Sequence, residues 1–319
     1  MSYHGGDFAT WQQQARAKLT ELLGLDTFTK AEANTQIEYE RKIPNGTEIR
    51  FLFQSEDGYW VPCHMLLPDG VKQPPVVICL QGHSTGMHIS LGRPQYPGDE
   101  ALIQGGDRDF CVRALAEGVA SIAMEQRNFG ECGGTEEGPK CLEASMTALM
   151  MGRTTIGCRV WDICRLIDVL ESDFSDRIDR TRICCLGNSG GGTATAYAAA
   201  LDDRIYLAVP SCAMCTWEES IAARRHCCCN YVPHIAKYFN MGDILAMACP
   251  KYVIQVSGTE DHGFKIAGSL AAFQAGKQAY DDQNASDNCV LVQGNGGHRF
   301  YADDTWPVIH AFLNRKERG

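Results

Sequence analysis

The sequence has no apolar run long enough to span a bilayer, and basic residues are in the minority among its charged residues. Its 29 lysines and arginines are outnumbered by 39 aspartates and glutamates, which gives a formal net charge of −10. Without a basic patch to displace counterions, neither a nucleic acid nor an anionic membrane is expected as a partner. Residues 1–20 also lack the basic-then-apolar order of a secretory signal, so we predict a cytoplasmic protein.

Cysteine is the residue type present in excess, with 16 copies among 319 residues. Cys79, Cys184 and Cys185 fall in apolar strand patterns, which indicates buried, reduced thiols rather than a disulfide framework. The chain also contains no sequence fingerprint of a cofactor-binding loop, so we expect no cofactor.

A zinc site is the alternative use of the cysteines. Cys212-Ala213-Met214-Cys215 has the C-x-x-C spacing, and His226–Cys229 adds an imidazole and three further thiols. Zinc fingers need two paired ligand loops with tetrahedral reach, and three adjacent cysteines rarely converge on one ion. We therefore predict no metal and interpret these thiols as packing residues, with a zinc-dependent protein as the competing hypothesis.

The most informative segment is residues 181–200. A short apolar strand pattern enters Gly187-Asn188-Ser189-Gly190-Gly191, and a helix pattern of small residues follows. A G-x-S-x-G string alone is weak in a chain with 32 glycines, but this context is typical of a nucleophile elbow. Such a turn strains the serine backbone and raises its hydroxyl above the sheet. We therefore predict Ser189 as a nucleophile.

A serine nucleophile requires a general base and a carboxylate that orients this base. One apolar strand pattern later in the chain is followed by Glu260 and Asp261, and the next by His298. Because these residues come just after strands, we expect them at one edge of the sheet. His262 adjoins the acid and His310 lies in a helical pattern, so His298 is the predicted base.

These motifs resemble the α/β-hydrolase superfamily, and within it they are similar to the acetyl xylan esterase-like and dienelactone hydrolase-like group of bacterial carboxylesterases. Two further segments carry the likeness, Met151–Arg165 before the elbow strand and His226–Pro233 between the elbow and the acid. The likeness covers the chain from about Tyr59 to its C-terminus. Where cephalosporin C deacetylases have Arg-Gly-Gln, this chain has Arg127–Gly130.

The resemblance implies roles for further residues. It favours Asp261 over the adjacent Glu260 as the acid, because the superfamily usually places it in a G-x-x-D sequence after this strand. It also implies an oxyanion hole made of two backbone N–H groups. Gly190, which follows the nucleophile, would supply one group, and His83, in the loop after an early strand, would supply the other.

The organisation expected from the pattern is simple. From Val76 onward, strand and helix patterns alternate, which implies an α/β fold with a mostly parallel sheet and helices on both faces. We expect a single α/β-hydrolase domain over residues 1–319. It would carry an N-terminal helical extension at residues 1–35 and a cap-like insert at residues 211–249.

The function implied is the hydrolysis of a carboxylic ester through an acyl-enzyme, with a small-molecule or oligosaccharide ester as substrate. The insert contains Trp217 and Tyr231, which we predict to bind substrate by narrowing the acyl pocket and stacking on a sugar. Acetylated carbohydrates, such as xylan oligosaccharides, are therefore the expected substrates. The alternative functions are a dienelactone hydrolase-like enzyme or thioester hydrolase, and a catalytically silent binding protein with the same fold. The sequence is also compatible with a homo-oligomer.

Overall fold

The protein is known from a computed structural model that describes residues 1–315. Its framework is a nine-stranded sheet with the order β1-β2-β3-β5-β4-β6-β7-β8-β9. The strands are β1 (Gln36–Ile43), β2 (Gly46–Glu56), β3 (Tyr59–Pro68), β4 (Val76–Leu80), β5 (Ala120–Met124), β6 (Ile183–Asn188), β7 (Ile205–Ser211), β8 (Tyr252–Gly258) and β9 (Cys289–Gly294).

The two parts of the sheet differ in strand direction. Strands β1, β2 and β3 form an antiparallel meander, and β3 joins the rest through an antiparallel pairing with β5. The remaining neighbours, from β5 through β4 and β6 to β9, pair in parallel. The carboxyl ends of the parallel strands therefore lie along one edge, where open α/β sheets build their binding sites.

Helices cover the sheet on both faces, as the alternating pattern predicts. They are α1 (Phe8–Leu23), α2 (Asp99–Gly106), α3 (Phe110–Ala116), α4 (Cys141–Met150), α5 (Thr155–Ser172), α6 (Gly190–Leu201), α7 (Met241–Met247), α8 (Ile266–Asp282) and α9 (Ala302–Leu313). Within residues 1–315, none of the helices combines the length and the apolar character that crossing a bilayer would require.

Strand β4 shows why both faces are covered. Val76, Ile78 and Leu80 belong to an apolar core that includes residues of α5 and α6, whereas Val77 and Cys79 belong to a second core with residues of α3 and α9. Because successive side chains of a strand point to opposite faces, a fully apolar strand needs such a core on each side. The predicted α/β fold, with a mostly parallel sheet and helices on both faces, is confirmed.

Three helices, α2, α4 and α7, lie where no helix was predicted. Helix α2 lies in the long connection between β4 and α3, and α7 lies within the insert. Helix α4 has no side-chain cap and buries Cys141, Ser145 and Ala148. Its large apolar residues instead face solvent, with Met150 90% exposed. This arrangement is the reverse of an ordinary amphipathic helix, so hydrophobic periodicity could not reveal it.

Candidate active site

Ser189 occupies the sharp turn between β6 and α6. Its backbone has φ 56° and ψ −121°, a conformation that L-residues rarely adopt and that is a mark of strain at functional sites. The flanking glycines are needed for steric reasons. A Cβ at Gly187 would overlap the backbone of Gly191, and one at Gly191 would overlap the backbone of Leu80. The local structure is thus the nucleophile elbow that the sequence indicates.

Asp261 lies just after β8, and its carboxylate is fully engaged. Its Oδ1 accepts hydrogen bonds from the backbone N–H groups of Gly263, at 2.7 Å, and Phe264, at 3.0 Å. Its Oδ2 lies 2.7 Å from Nδ1 of His298. Burial opposes ionisation, but the hydrogen bond and charge of His298 and the two backbone donors outweigh it and lower the pKa of Asp261. The neighbouring Glu260 is exposed, so Asp261 is the acid that faces the imidazole.

His298 follows β9 and presents its ring to solvent on one side. Its side chain is 33% exposed, and its ring stacks on Phe264 with 5.8 Å between centroids. The two competing histidines lie elsewhere. His262 is exposed, and His310 is paired with Glu117 at 2.8 Å. Of the three histidines considered, His298 is therefore the one that the structure joins to Asp261.

The end of β7 connects the serine to the acid and base. The N–H of Ser189 donates to the Ser211 carbonyl at 2.8 Å, and the thiol of the next residue, Cys212, donates to the Arg299 carbonyl at 3.2 Å. Arg299 directly follows His298 in the chain. The three segments that carry the predicted triad are therefore tied together at the carboxyl ends of β6 to β9.

Cys212 is a residue of this site that sequence reasoning assigned to packing or to zinc. Its Sγ lies within 4.8 Å of the nearest ligand atoms of Asp261 and His298. Burial first, and then the charge of Asp261, raise the pKa of Cys212 to about 12, so the thiol stays protonated and can donate to the Arg299 carbonyl. Its positive φ of 46° had no recognisable sequence signal, because the chain has no glycine there.

The loop after β4 lies directly against the nucleophile. A Cβ placed on Gly82 would come within 2.9 Å of Ser189 Cβ and 2.8 Å of the Asn188 carbonyl oxygen. Among the hydrogen bonds of residues 1–315, the backbone N–H groups of His83 and Gly190 have no acceptor. The loop and the start of α6 thus offer two free donors beside the serine, as an oxyanion hole requires.

A buried cation next to the serine was missed by the sequence analysis. Arg108 is 4% exposed, and its Nη1 lies 3.1 Å from the point that a Gly82 Cβ would occupy. Neither Nε nor Nη1 has a hydrogen-bond partner within the described residues. Burial lowers the pKa of Arg108 to about 10, which still leaves it charged at neutral pH. Arg108 lies in the short connection between α2 and α3, so no periodic signal pointed to it.

Trp217 and Tyr231, the predicted substrate-binding residues, both lie on a separate cavity. This cavity of about 320 Å³ is formed within residues 217–237, and none of Ser189, Asp261 and His298 lines it. Trp217 is 8% exposed and its indole N–H donates to the Phe239 carbonyl at 2.7 Å. This hydrogen bond and the burial identify Trp217 as a core residue of the insert. The structure gives neither aromatic residue a contact with the predicted triad.

The chain is similar in sequence to an esterase family model and to a bacterial hydrolase. The model of the family "Glucuronyl esterase, fungi" matches residues 76–216, less than half of the chain, from β4 past the elbow into the insert. A protein of Bacillus subtilis (strain 168) named "Putative hydrolase YtaP" is 26% identical over 244 residues, which cover 74% of this chain and 77% of the relative.

Solved structures share the fold. A structure described as "a putative acetyl xylan esterase" from Bacteroides fragilis superposes with a TM-score of 0.76 at 19% identity, covering 92% of this chain and 78% of the other. A glucuronoyl esterase from Solibacter usitatus gives 0.70 at 16% identity, covering 96% and 93%. At such identities the likeness establishes the fold. Together with the family-model match, it shows that the chain belongs to the α/β-hydrolase superfamily and is a carboxylic ester hydrolase.

Proposed function

We propose that the protein is a serine esterase that hydrolyses short-chain, chiefly acetyl, esters of carbohydrates through an acyl-enzyme. The observation that carries the proposal is the strained Ser189 elbow joined through the end of β7 to the Asp261–His298 pair. Because a carboxylate only accepts, Asp261 keeps the imidazole hydrogen on Nδ1, which leaves Nε2 free to act as a base.

In the proposed acylation step, His298 Nε2 takes the proton of the Ser189 hydroxyl as Oγ bonds to the acyl carbon. The carbonyl electron pair moves onto oxygen, where the N–H groups of His83 and Gly190 stabilise the negative charge. As this intermediate collapses, the bond to the alcohol oxygen breaks and the imidazolium protonates the departing alcohol. A water molecule then repeats the sequence, with its proton taken by His298, and frees the carboxylic acid.

Crowding around the serine supports a short acyl group. The Cε1 atom of His83 lies 3.2 Å from the position of a Cβ on Gly190, and Nη1 of Arg108 lies 3.1 Å from the position of a Cβ on Gly82. Both side chains are held in place by burial, since His83 is only partly accessible and Arg108 is 4% exposed. An acetyl group needs little room beside Oγ, whereas a long chain would have to displace one of them.

A polar cavity beside the oxyanion loop supports a carbohydrate alcohol. The cavity measures about 530 Å³, is lined by His83, Ser84 and Thr85 from the loop, and has the exposed Glu136 and Glu137 on another wall. Hydroxyl and carboxylate oxygens of this kind accept and donate the hydrogen bonds that sugar hydroxyls make. Its acidic wall also suits a neutral acetylated sugar better than an anionic one.

A second candidate is the hydrolysis of uronoyl esters, in which the sugar is the acyl part. It is favoured by the glucuronyl esterase family model, which matches the segment containing the oxyanion loop and the elbow. The unpartnered Arg108 beside Ser189 would suit the carboxylate product of either reaction, so it does not separate the two candidates. The close approach of His83 and Arg108 to the glycines beside Ser189 argues against it, because the uronoyl ring would have to fit where an acetyl methyl group fits.

The serine mechanism is tested with a fluorophosphonate probe and the Ser189→Ala variant. We expect the probe to label the wild-type protein at Ser189, and the variant to lose several powers of ten in turnover, roughly 10⁴-fold or more. Ser172→Ala is the matched control, because Ser172 is exposed at the end of α5. An unlabelled wild-type protein would favour the silent binding protein, and an active, folded Ser189→Ala variant would refute the mechanism.

The acyl preference is tested by kcat/KM for aryl esters from acetyl to octanoyl. We expect a steady fall, of about tenfold or more for each added methylene that cannot be accommodated. Acetylated xylo-oligosaccharides and a methyl ester of glucuronic acid then separate the two candidates. Faster cleavage of the glucuronate ester would establish the second one, and a rate that rises with acyl length would contradict both the pocket argument and the acetyl assignment.

A further inference from the structure

Four side chains with metal-binding atoms converge beside the oxyanion loop. They come from three separate parts of the chain: His83 from the loop after β4, Cys141 from the first turn of α4, and Cys227 and Cys229 from the insert. One ligand atom from each of them lies within 4.8 Å of all the others. His83 Nε2 lies 3.2 Å from Cys229 Sγ and 3.8 Å from Cys141 Sγ, and the Sγ atoms of Cys227 and Cys229 are 3.3 Å apart.

These separations suit a tetrahedral ion. With Zn–S near 2.3 Å and Zn–N near 2.1 Å, tetrahedral ligands lie about 3.8 Å apart for two sulfurs and about 3.6 Å apart for sulfur and nitrogen. The three measured distances among His83, Cys141, Cys227 and Cys229 are within about half an ångström of those values, before any adjustment around an ion. One imidazole and three thiolates are also a ligand set that zinc prefers.

A buried cation supplies an independent argument for negative charge at this point. Arg159 is completely buried, and its Nη2 contacts Cys141 Sγ at 3.5 Å and the Arg127 carbonyl oxygen at 3.3 Å. Its Nε and Nη1 have no hydrogen-bond partner among the described residues, and its guanidinium lies over the Phe129 ring, 4.8 Å from the ring centroid, rather than against a carboxylate. Burying a guanidinium is costly unless an anion lies nearby. Three thiolates, one neutral imidazole and a divalent ion carry a net charge of −1, which Arg159 would neutralise.

We propose that His83, Cys141, Cys227 and Cys229 bind one zinc ion in a closed, structural site. Binding would release the three thiol protons to solvent, with His83 donating through its neutral Nε2. Because the protein fills all four positions, the ion has no open site for substrate. Its role is to fasten the insert and α4 to the loop whose Gly82 lies against Ser189. This inference does not depend on the proposed esterase activity.

The structure also separates the ligands from the cysteines that the sequence singled out. Cys212 lies beside Asp261, and Cys215 donates to the Lys265 carbonyl at 3.5 Å, so the C-x-x-C pair does not join the cluster. Cys228 lies between two ligands in sequence but is not among the converging side chains. The objection that three adjacent cysteines cannot share an ion therefore does not apply, because only the first and third do so.

The first test is the metal content of the full-length protein, purified without a histidine tag or chelator under anaerobic conditions. Elemental analysis should find one zinc ion per chain in the wild type and in Cys228→Ser, the matched control. Cys227→Ser and Cys229→Ser should lose most of the zinc, and a thiol reagent should release it from the wild type. Wild-type levels of zinc in both of these variants would overturn the assignment, as would a wild type that contains none after reconstitution.

A second measurement keeps the proposal testable if the variants fail to fold. Wild-type protein reconstituted with cobalt(II) in place of zinc should show the intense visible bands of a tetrahedral ion and thiolate-to-metal absorption in the near ultraviolet. Cys228→Ser should give the same spectrum. A weak spectrum typical of six oxygen or water ligands would refute the site, and so would a disulfide between Cys227 and Cys229 in the anaerobically purified protein.

Discussion

The Asp261→Asn substitution tests the triad most directly, because the structure dictates how the amide must orient. The carboxylate uses Oδ1 for the backbone donors of Gly263 and Phe264 and Oδ2 for His298. Asparagine has one oxygen and one NH₂ group. The oxygen must remain with the two backbone donors, since turning the NH₂ group toward them would leave both N–H groups unpaired. The NH₂ group then faces His298 and donates to Nδ1.

This orientation reverses the tautomer of the imidazole. With Nδ1 accepting, the ring hydrogen moves to Nε2, which can no longer take the proton of Ser189. The charge that stabilises the imidazolium is lost as well. We expect kcat to fall roughly 10⁴-fold, the size of the effect when a triad carboxylate becomes an amide. This loss corresponds to about 5 kcal/mol of transition-state stabilisation. KM should change little, because the proposed mechanism gives Asp261 no contact with the substrate.

The assay is the steady-state hydrolysis of an aryl acetate, with circular dichroism to show that each variant is folded. Glu260→Gln is the matched control: it removes an exposed, adjacent carboxylate that does not contact His298, so kcat should stay at the wild-type value. The reasoning would be refuted if Asp261→Asn kept more than a small fraction of the activity. A larger loss in Glu260→Gln would mean that the acid has been assigned to the wrong residue.

Two further predictions concern buried positions near the site. Gly82→Ala should lower kcat roughly a hundredfold, because the added Cβ would move the oxyanion loop away from Ser189. Gly105→Ala is the control: its Cβ would meet no described atom within 4 Å, so kcat should be unchanged and α2 should be stabilised by up to about 1 kcal/mol. Burial raises the pKa of Glu125 from 4.5 to about 8, so the folded protein keeps this carboxyl protonated at pH values where the unfolded chain ionises it. The free energy of unfolding is therefore highest below pH 4.5 and falls by up to about 1.4 kcal/mol per pH unit as the pH rises toward 8. In urea denaturation, Glu125→Gln should lose less stability across this pH window than the wild type, whereas the control Glu136→Gln, at an exposed position, should lose as much as the wild type. An unchanged pH dependence in Glu125→Gln would contradict the argument about Glu125, and wild-type kcat in Gly82→Ala would contradict the argument about the loop.

The sequence by itself determined the frame of the sheet and the three residues at its edge. Strand β4, the elbow around Ser189, and the strands before Asp261 and His298 are encoded in short stretches of consecutive residues. The strand patterns and the glycine-flanked serine depend on backbone geometry within a few residues, and the order of the segments is given directly by the chain. A single sequence is therefore enough to predict them.

The tertiary structure alone decided which residues surround that edge. Arg108 and Cys212 reach the site through connections that follow other elements than the elbow, and Trp217 packs within the insert rather than against Ser189, Asp261 or His298. The contact between His83 and Cys229 brings together residues that are 146 positions apart in sequence. Such contacts depend on how long connections close and pack, and neither composition nor periodicity of a single chain records that.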